Sequence, residues 1–516
     1  MSGGESRTSL AARGSVYGLA SKAVSLLVSF ASRTVFIYVL GRYYLGVNGL
    51  YSDILSVLSF AELGFGSAMT FALYGPVARG EDELVRELLA FYRLAYRRIA
   101  LVIAVAGLCV VPFLQHLVVG AESLSLPELR LYFVIFLANT VTSYFVSYKF
   151  GLVNALQRTY VRTTMETASS VACSVVQTAV LLVTGSFLAY LLANTATLVL
   201  SRVAIARWLD RSYPILAQRP ARPLPAPERR RIMHEVRGLA VHQLSGVAVH
   251  ATGSIVIALV PGLGVGVVGS VSNYTLIVSA VSSVLLILTE SVAAGFGNLA
   301  AVETQERLRS VFDEANFVGF WLFGLAAVCM LVLLPPFIVL WVGEEYLIDS
   351  ASLALILVDF YLQGQSSVYN NARIAKGEFN RDKWWSLFQA ATNLAVAAAL
   401  APRIGLAGIY VGAVASRVVF VVCRPLSTYR FLFGVSPGYY YLDVARYFLA
   451  VAAAGAACSA VAAPLLAQGG VPALAGALAV CLVVPNALFA ALFSRSACFR
   501  SVLSRLVGLI PGGGAS

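Results

Sequence analysis

The stretch NGLYSDILSVLSFAELGFGSAMTFALYGPVARGEDELVRELLAFYRLAY, Asn48 to Tyr96, sets the plan of the chain, because its pattern occurs twice. An apolar run starts at a polar entrance, carries one carboxylate (Glu62), passes Gly64-Phe65-Gly66 and ends in a short charged amphipathic segment. Asn273 to Phe317, NYTLIVSAVSSVLLILTESVAAGFGNLAAVETQERLRSVFDEANF, keeps the same order. Glu290 lies inside, Gly295-Phe296-Gly297 follows, then charges, then Val311-Phe312. The register slips by three residues, since Glu62 stands two before its Gly-Phe-Gly and Glu290 five. That slip is close to one helical turn, so both carboxylates can face the same way.

Around this pair the composition is that of a membrane protein. Hydrophobic residues make up 59% of the chain, charged residues 12%, and the mean hydropathy is +0.81, outside the range of soluble domains. Apolar runs of about 20 residues between polar punctuation are bilayer spans. The expected fold is therefore all-α and polytopic, with about 14 transmembrane helices. They fall near 16–40, 49–77, 96–119, 129–149, 163–184, 187–206, 238–260, 266–299, 317–341, 351–371, 384–402, 405–425, 444–466 and 472–493. Met1 to Ser15 is polar and the first apolar run is too long for a signal-peptide core, so the start reads as uncleaved. The seven cysteines mostly lie within apolar runs without close spacing, so neither a metal site, a cofactor nor a disulfide framework is expected.

The net charge of +12 is spread over loops, which membrane topology explains without nucleic acid as a partner. With an even number of spans and both termini in the cytoplasm, the inner segments hold Arg79 to Arg98, Lys149 to Arg162, Arg207 to Arg237, Arg307 and Arg309, Arg373 to Lys383, and Arg424 to Arg446. Only Arg42, Arg130 and Arg403 fall on outer loops, as a cytoplasmic excess of basic residues requires. The Pro- and Arg-rich connector 207–237 reads as a solvated, semi-rigid linker. It separates a six-helix bundle over 1–206 from a second over 238–426; two further spans follow over 427–493, then a cytoplasmic tail over 494–516. An even-span unit returns to its starting side, so the halves are expected to be parallel repeats with a site between them. The tail pattern of Arg495, Arg500 and Arg505 among Val502, Leu503, Leu506 and Val507 fits a short interfacial helix. The outer loops are too short to form a domain for chemistry.

Charges inside spans are functional candidates, because burying them in lipid is costly. Arg33 is the sharpest, lying well inside the first span with Ser29 one turn earlier. A guanidinium keeps its charge and offers a planar fork of donors suited to phosphate; a snorkelling or helix-pairing arginine is the plainer alternative. Glu62 can pair with Arg33 or act as a coupling site. Asp53 reads as interfacial. His250 lies mid-span with His242 two turns before it, suited either to proton exchange or to a bond with a neighbouring helix. Glu290 repeats the position of Glu62. Asp359 and Arg417 read as packing or pairing residues. Lys22, near the cytoplasmic mouth, can meet an anionic headgroup or snorkel. The amide of Asn273 and the phenol of Tyr274, at the outer start of the eighth span, can hydrogen-bond a sugar. No P-loop, nucleophile triad or metal-ligand spacing is present in the sequence, so no enzyme is expected.

Asp53-Ile54-Leu55, Glu62-Leu63-Gly64-Phe65-Gly66-Ser67-Ala68 and Leu73-Tyr74-Gly75-Pro76 resemble the first half of bacterial polysaccharide-unit flippases. Asn273-Tyr274-Thr275-Leu276-Ile277, Gly297-Asn298-Leu299-Ala300 and Pro336-Phe337-Ile338-Val339-Leu340-Trp341-Val342-Gly343 resemble the second. These flippases belong to the superfamily of multidrug, oligosaccharidyl-lipid and polysaccharide exporters. The resemblance runs from about Gly14 to Phe433 and implies two six-helix bundles in a V, with the first, second, seventh and eighth spans lining a cavity. It implies a lipid-linked oligosaccharide on undecaprenyl diphosphate, an O-antigen or exopolysaccharide unit, moved to the outer leaflet of the bacterial inner membrane by alternating access. Membrane lipids and other polysaccharide-assembly proteins are the implied partners. Cationic cavity residues hold the diphosphate in related lipid II flippases, and Arg33 is the matching candidate. Many relatives carry an acidic residue in the seventh span, where this chain reads Thr252-Gly253-Ser254. Ion coupling would then fall to His250 or Glu290. The alternatives are a cation-coupled multidrug exporter of the same fold and a membrane polymerase or glycosyltransferase, which the short outer loops disfavour.

Overall fold

The computed structural model describes residues 7–62, 64–120, 124–236, 252–302, 304–375 and 383–508. Among them there is no strand, and eleven helices are long and apolar enough to cross a membrane. The protein is an all-helical, multi-pass membrane protein.

The longest helix, α1 (Arg7–Leu58), breaks at Gly41, where φ is 77° and ψ −174°. That break separates the first expected span from the second. A 3-10 turn, Ser59–Glu62, then leads to Gly64 and into α2 (Phe65–Arg79). Gly64 has φ 80°, a left-handed conformation that a side chain would strain. The following helices are α3 (Asp82–Val110), α4 (Leu114–Leu117), α5 (Leu126–Ala155), α6 (Thr159–Thr184) and α7 (Phe187–Ser212). A short α8, 226–236, leads towards α9 (Thr252–Leu259). Then come α10 (Gly264–Val302), α11 (Gln305–Val342), α12 (Ser350–Ala375), α13 (Lys383–Ile404), α14 (Leu406–Phe433), α15 (Gly438–Leu466) and α16 (Gly470–Phe493). The amphipathic α17 (Ala497–Gly508) is the helix expected in the tail.

Close packing divides the chain into two units, Met1–Gly269 and Ser270–Ser516, with the division inside α10. The first residues of α10 stay with the first unit because two backbones meet there. A Cβ on Gly46 would lie 1.8 Å from the Val265 carbonyl oxygen, and one on Gly269 2.2 Å from that of Arg42. Only glycine permits that approach.

The connector is less free than its composition suggests. Leu216 and Leu224 are buried, and the segment between them is fastened to the start of α3. The Ala221 amide donates to Glu83 (2.6 Å), Arg222 to Glu87 (2.7 Å), and Arg86 to Gln218 (2.8 Å).

The two copies of the opening pattern share their ends but not their interiors. Each turns into a charged helix start, at Asp82 and at Gln305. Each also carries a buried tyrosine tied to the beginning of a later span. Tyr51 donates to the Leu129 carbonyl (2.9 Å), near the start of α5, and Tyr274 accepts from the Ile348 amide (3.4 Å), just before α12. The interiors differ, since the first copy breaks at Gly64 whereas α10 runs unbroken through Gly295-Phe296-Gly297.

In the second unit, α15 and α16 are fastened to α11 by aromatic packing. Phe320 stacks on Tyr447 at 4.4 Å, and the Trp321 indole donates to Asn486 at 2.6 Å. Helix α17 joins the same seam through Phe499 stacked on Trp321 and Arg505 paired with Glu314 at 2.8 Å. The lone charges of the later spans meet each other. Arg417 on α14 grips Asp359 on α12 with two bonds of 2.9 and 3.3 Å, the pairing read from the sequence.

Candidate functional site

A cavity of about 1280 Å³ lies within the first unit, walled by α1, α2, α3, α5, α6 and α7. Its lining combines polar stripes at helical spacing with aromatic and aliphatic side chains, among them Phe71, Phe136, Val146, Phe150 and Leu198. Helix α6 contributes Thr159, Arg162, Thr163, Glu166, Ser169, Ser170, Cys173, Ser174 and Gln177, which recur every three or four residues on one face. Helix α5 contributes Ser143, Ser147, Gly151 and Asn154, and α7 contributes Tyr190, Asn194 and Arg202. From α1, Asn48, Ser52 and Ser56 lead through Ser59 to Glu62 in the 3-10 turn that follows, Ser56 and Ser59 lining an adjoining pocket. From Phe136 to Asn154 the lining follows α5 for about 27 Å, most of the ~30 Å thickness of a bilayer's hydrocarbon core.

Several of these hydroxyls donate back into their own helices. Ser52 bonds the Asn48 carbonyl (2.8 Å), Thr70 that of Gly66 (2.9 Å) and Ser147 that of Ser143 (3.0 Å). Their protons are thereby used, and the oxygens' lone pairs remain for partners in the cavity. The wall is therefore rich in acceptors, suited to water and to polyhydroxylated ligands.

Two arginines and two glutamates line the cavity, so its formal charge is balanced rather than positive. Arg162 is paired with Glu166 at 2.8 Å. Glu62 accepts from the Tyr96 hydroxyl at 2.6 Å and also meets Tyr144. Arg202 has no carboxylate partner among the described residues. Its guanidinium is held by the Asn139 carbonyl (2.7 Å) and the Thr142 hydroxyl, which fixes a charged fork against the cavity wall.

The sequence candidates scatter around this site. Glu62 lines it, and the partners that hold it there are the tyrosines Tyr96 and Tyr144. Arg33 is half-buried, within electrostatic reach of the lining residue Tyr190, and does not itself line the cavity. Lys22 is half-exposed on the same face of α1, three turns or ~16 Å of rise before Arg33, and does not line the cavity. Asn273 and Tyr274 are wholly buried in the second unit, where Tyr274 is spent on the Ile348 amide; packing rather than an open sugar-binding face accounts for both. His250 and the side chain of Glu290 lie outside the described residues. Asp53 is half-buried and hydrogen-bonded to Ser254 of α9, which places a carboxylate next to the segment Thr252-Gly253-Ser254. Arg202 and the α6 stripe are the lining residues that a search for isolated charges overlooks.

The fold and cavity together define a polytopic helical membrane protein with a cavity between its helices, lined by polar, charged and aromatic side chains. No protein-family profile and no curated protein matches the chain. Among solved structures, a lipid II flippase, MurJ, in an inward closed conformation is similar at a TM-score of 0.65 and 12% identity, over 95% of this chain and 99% of its own. A variant of the Vibrio cholerae MATE transporter VcmN is similar at 0.57 and 16% identity, over 80% of this chain and 94% of its own. A MOP superfamily transporter from Pyrococcus furiosus is similar at 0.54 and 14% identity, over 80% and 94%. At these identities the likeness is one of fold.

Proposed function

We propose that the chain flips a lipid-linked oligosaccharide, carried on undecaprenyl diphosphate, from the cytoplasmic to the outer leaflet of a bacterial inner membrane. In this reading the protein is a transporter rather than an enzyme, with both termini cytoplasmic. Residues 1–206 and 238–426 act as parallel halves that alternate access, and the glycan is an O-antigen or exopolysaccharide unit delivered by other assembly proteins. The observation that carries the reading is the cavity lining. Hydroxyls, amides and one acid-free arginine along about 27 Å of helix suit a sugar chain with a phosphate at one end. The end-to-end likeness to a lipid II flippase agrees with it, because the MATE structure leaves a fifth of the chain unmatched. The second reading, a cation-coupled multidrug exporter, is favoured by Glu62 at the cavity wall and by those MATE neighbours.

The role of Arg33 is tested by reconstitution. Arg33 does not line the cavity described above, so a contact with the diphosphate requires the halves to move; if they bring it there, a folded Arg33→Ala protein should flip a diphosphate-linked oligosaccharide at least about tenfold more slowly than wild type, the effect of one lost charge-assisted contact. Flipping at the wild-type rate by a stable variant would remove Arg33 from the site.

A further inference from the structure

Outside the cavity, the first unit presents a second cationic feature at the membrane boundary of α3. Arg93 and Arg97 are exposed and one turn apart. The same helix continues into exposed Leu101 (65%) and Leu108 (53%), which a lipid environment must cover. Helix α5 runs alongside with exposed Phe145 one turn from Tyr148. The Tyr148 ring is buried in this seam, with its hydroxyl within electrostatic reach of Arg93, Asp210 and Arg97.

The carboxylates that could neutralise the two arginines are engaged elsewhere. Glu83 pairs with Arg86 and Glu87 with Arg222, each at 2.7 Å. Asp210 is held by Lys149 at 2.7 Å. No ion pair engages Arg93 or Arg97 among the described residues. The result is a pair of guanidinium forks with about 6 Å of helical rise between them, and lipid-facing leucines directly deeper in the bilayer.

We propose that the α3–α5 seam binds one anionic phospholipid, its phosphate clasped by Arg93 and Arg97 and its acyl chains laid along Leu101, Leu108 and Phe145. Charge decides the occupant. A zwitterionic lipid brings its own cation to a site that already holds two, whereas phosphatidylglycerol brings a net negative charge and satisfies both forks. Apolar side chains continuous with the arginines select a lipid over a free anion, since each buried methylene adds about 0.8 kcal/mol. The site rests on the membrane-spanning fold alone and not on the transport reaction.

Native mass spectrometry of the full-length protein in detergent, with phosphatidylglycerol or phosphatidylcholine added, tests this. Wild type should retain phosphatidylglycerol in preference to phosphatidylcholine, and millimolar inorganic phosphate should not displace it. Arg93→Gln and Arg97→Gln, singly, should each lower the retained fraction about tenfold, the loss of one charge-assisted contact. Arg98→Gln removes the same charge roughly 100° further round the helix and should leave retention unchanged. Equal loss with Arg98→Gln would reduce the effect to diffuse attraction and overturn the site. Equal retention of phosphatidylcholine would overturn it too, as would displacement by phosphate.

Discussion

Replacing Arg202 by methionine should lower flipping by about thirtyfold while leaving a folded, membrane-inserted protein. The reason is local. Arg202 is the cavity's one arginine without a carboxylate among the described residues, and two neutral oxygens on α5 orient its fork. A hydrogen bond from a charged group contributes about 1.5–3 kcal/mol, and a loss of about 2 kcal/mol corresponds to roughly thirtyfold. Methionine fills much of the same volume, so packing between α5 and α7 is largely kept. Lysine at the same position keeps the charge but not the planar fork, and should give an intermediate rate. Transport in vesicles separates these outcomes. A wild-type rate from Arg202→Met would show that the cavity arginine is a strut between helices only.

Breaking the Asp359–Arg417 pair should produce a large loss of stability in the second unit. The arginine side chain is 7% exposed and the aspartate 20%, and both hydrogen bonds are made. Removing one partner of such a pair leaves a buried charge alone and costs about 3–5 kcal/mol. Asp359→Asn and Arg417→Met should therefore each lower the thermal unfolding midpoint in detergent by many degrees. The double variant Asp359→Leu/Arg417→Met should recover most of that loss, because two apolar residues need no partner. Mild single variants would mean that water reaches the unpaired charge and that the pair is not a main support of the fold.

Much of the fold is legible in the sequence because the bilayer imposes it. Spans of about 20 apolar residues can satisfy their backbone in lipid only as helices. Each expected span overlaps helix, the second in two pieces on either side of the 3-10 turn Ser59–Glu62 and Gly64, and the seventh only through its end in α9. The gap left between residues 40 and 49 is where α1 breaks, at Gly41. The tail helix α17 was equally visible, as arginines alternating with leucines and valines.

The site was legible only in part. Glu62 stands out as a lone carboxylate, but its partner Tyr96 is 34 residues away on another helix, and nothing local encodes that choice. Arg202 hides near the end of a span whose hydropathy stays high. The α6 stripe from Thr159 to Gln177 was readable by its period, but serines and threonines do not register when only charges are sought. Asn273 and Tyr274 mislead for the opposite reason. Polar groups at a span's entrance look available to a ligand, whereas the structure buries both and uses the phenol to hold the Ile348 amide.

The most direct measurement reconstitutes the full-length protein in sealed vesicles and follows two compounds, a fluorescent oligosaccharide linked through diphosphate to a polyprenol and a cationic dye. A flippase with a hydroxyl-lined cavity should move the lipid-linked glycan between leaflets, do so about thirtyfold more slowly in Arg202→Met, and leave the dye where it was loaded. Transport of the dye driven by a cation gradient, with the glycan lipid remaining in its original leaflet, would contradict the account.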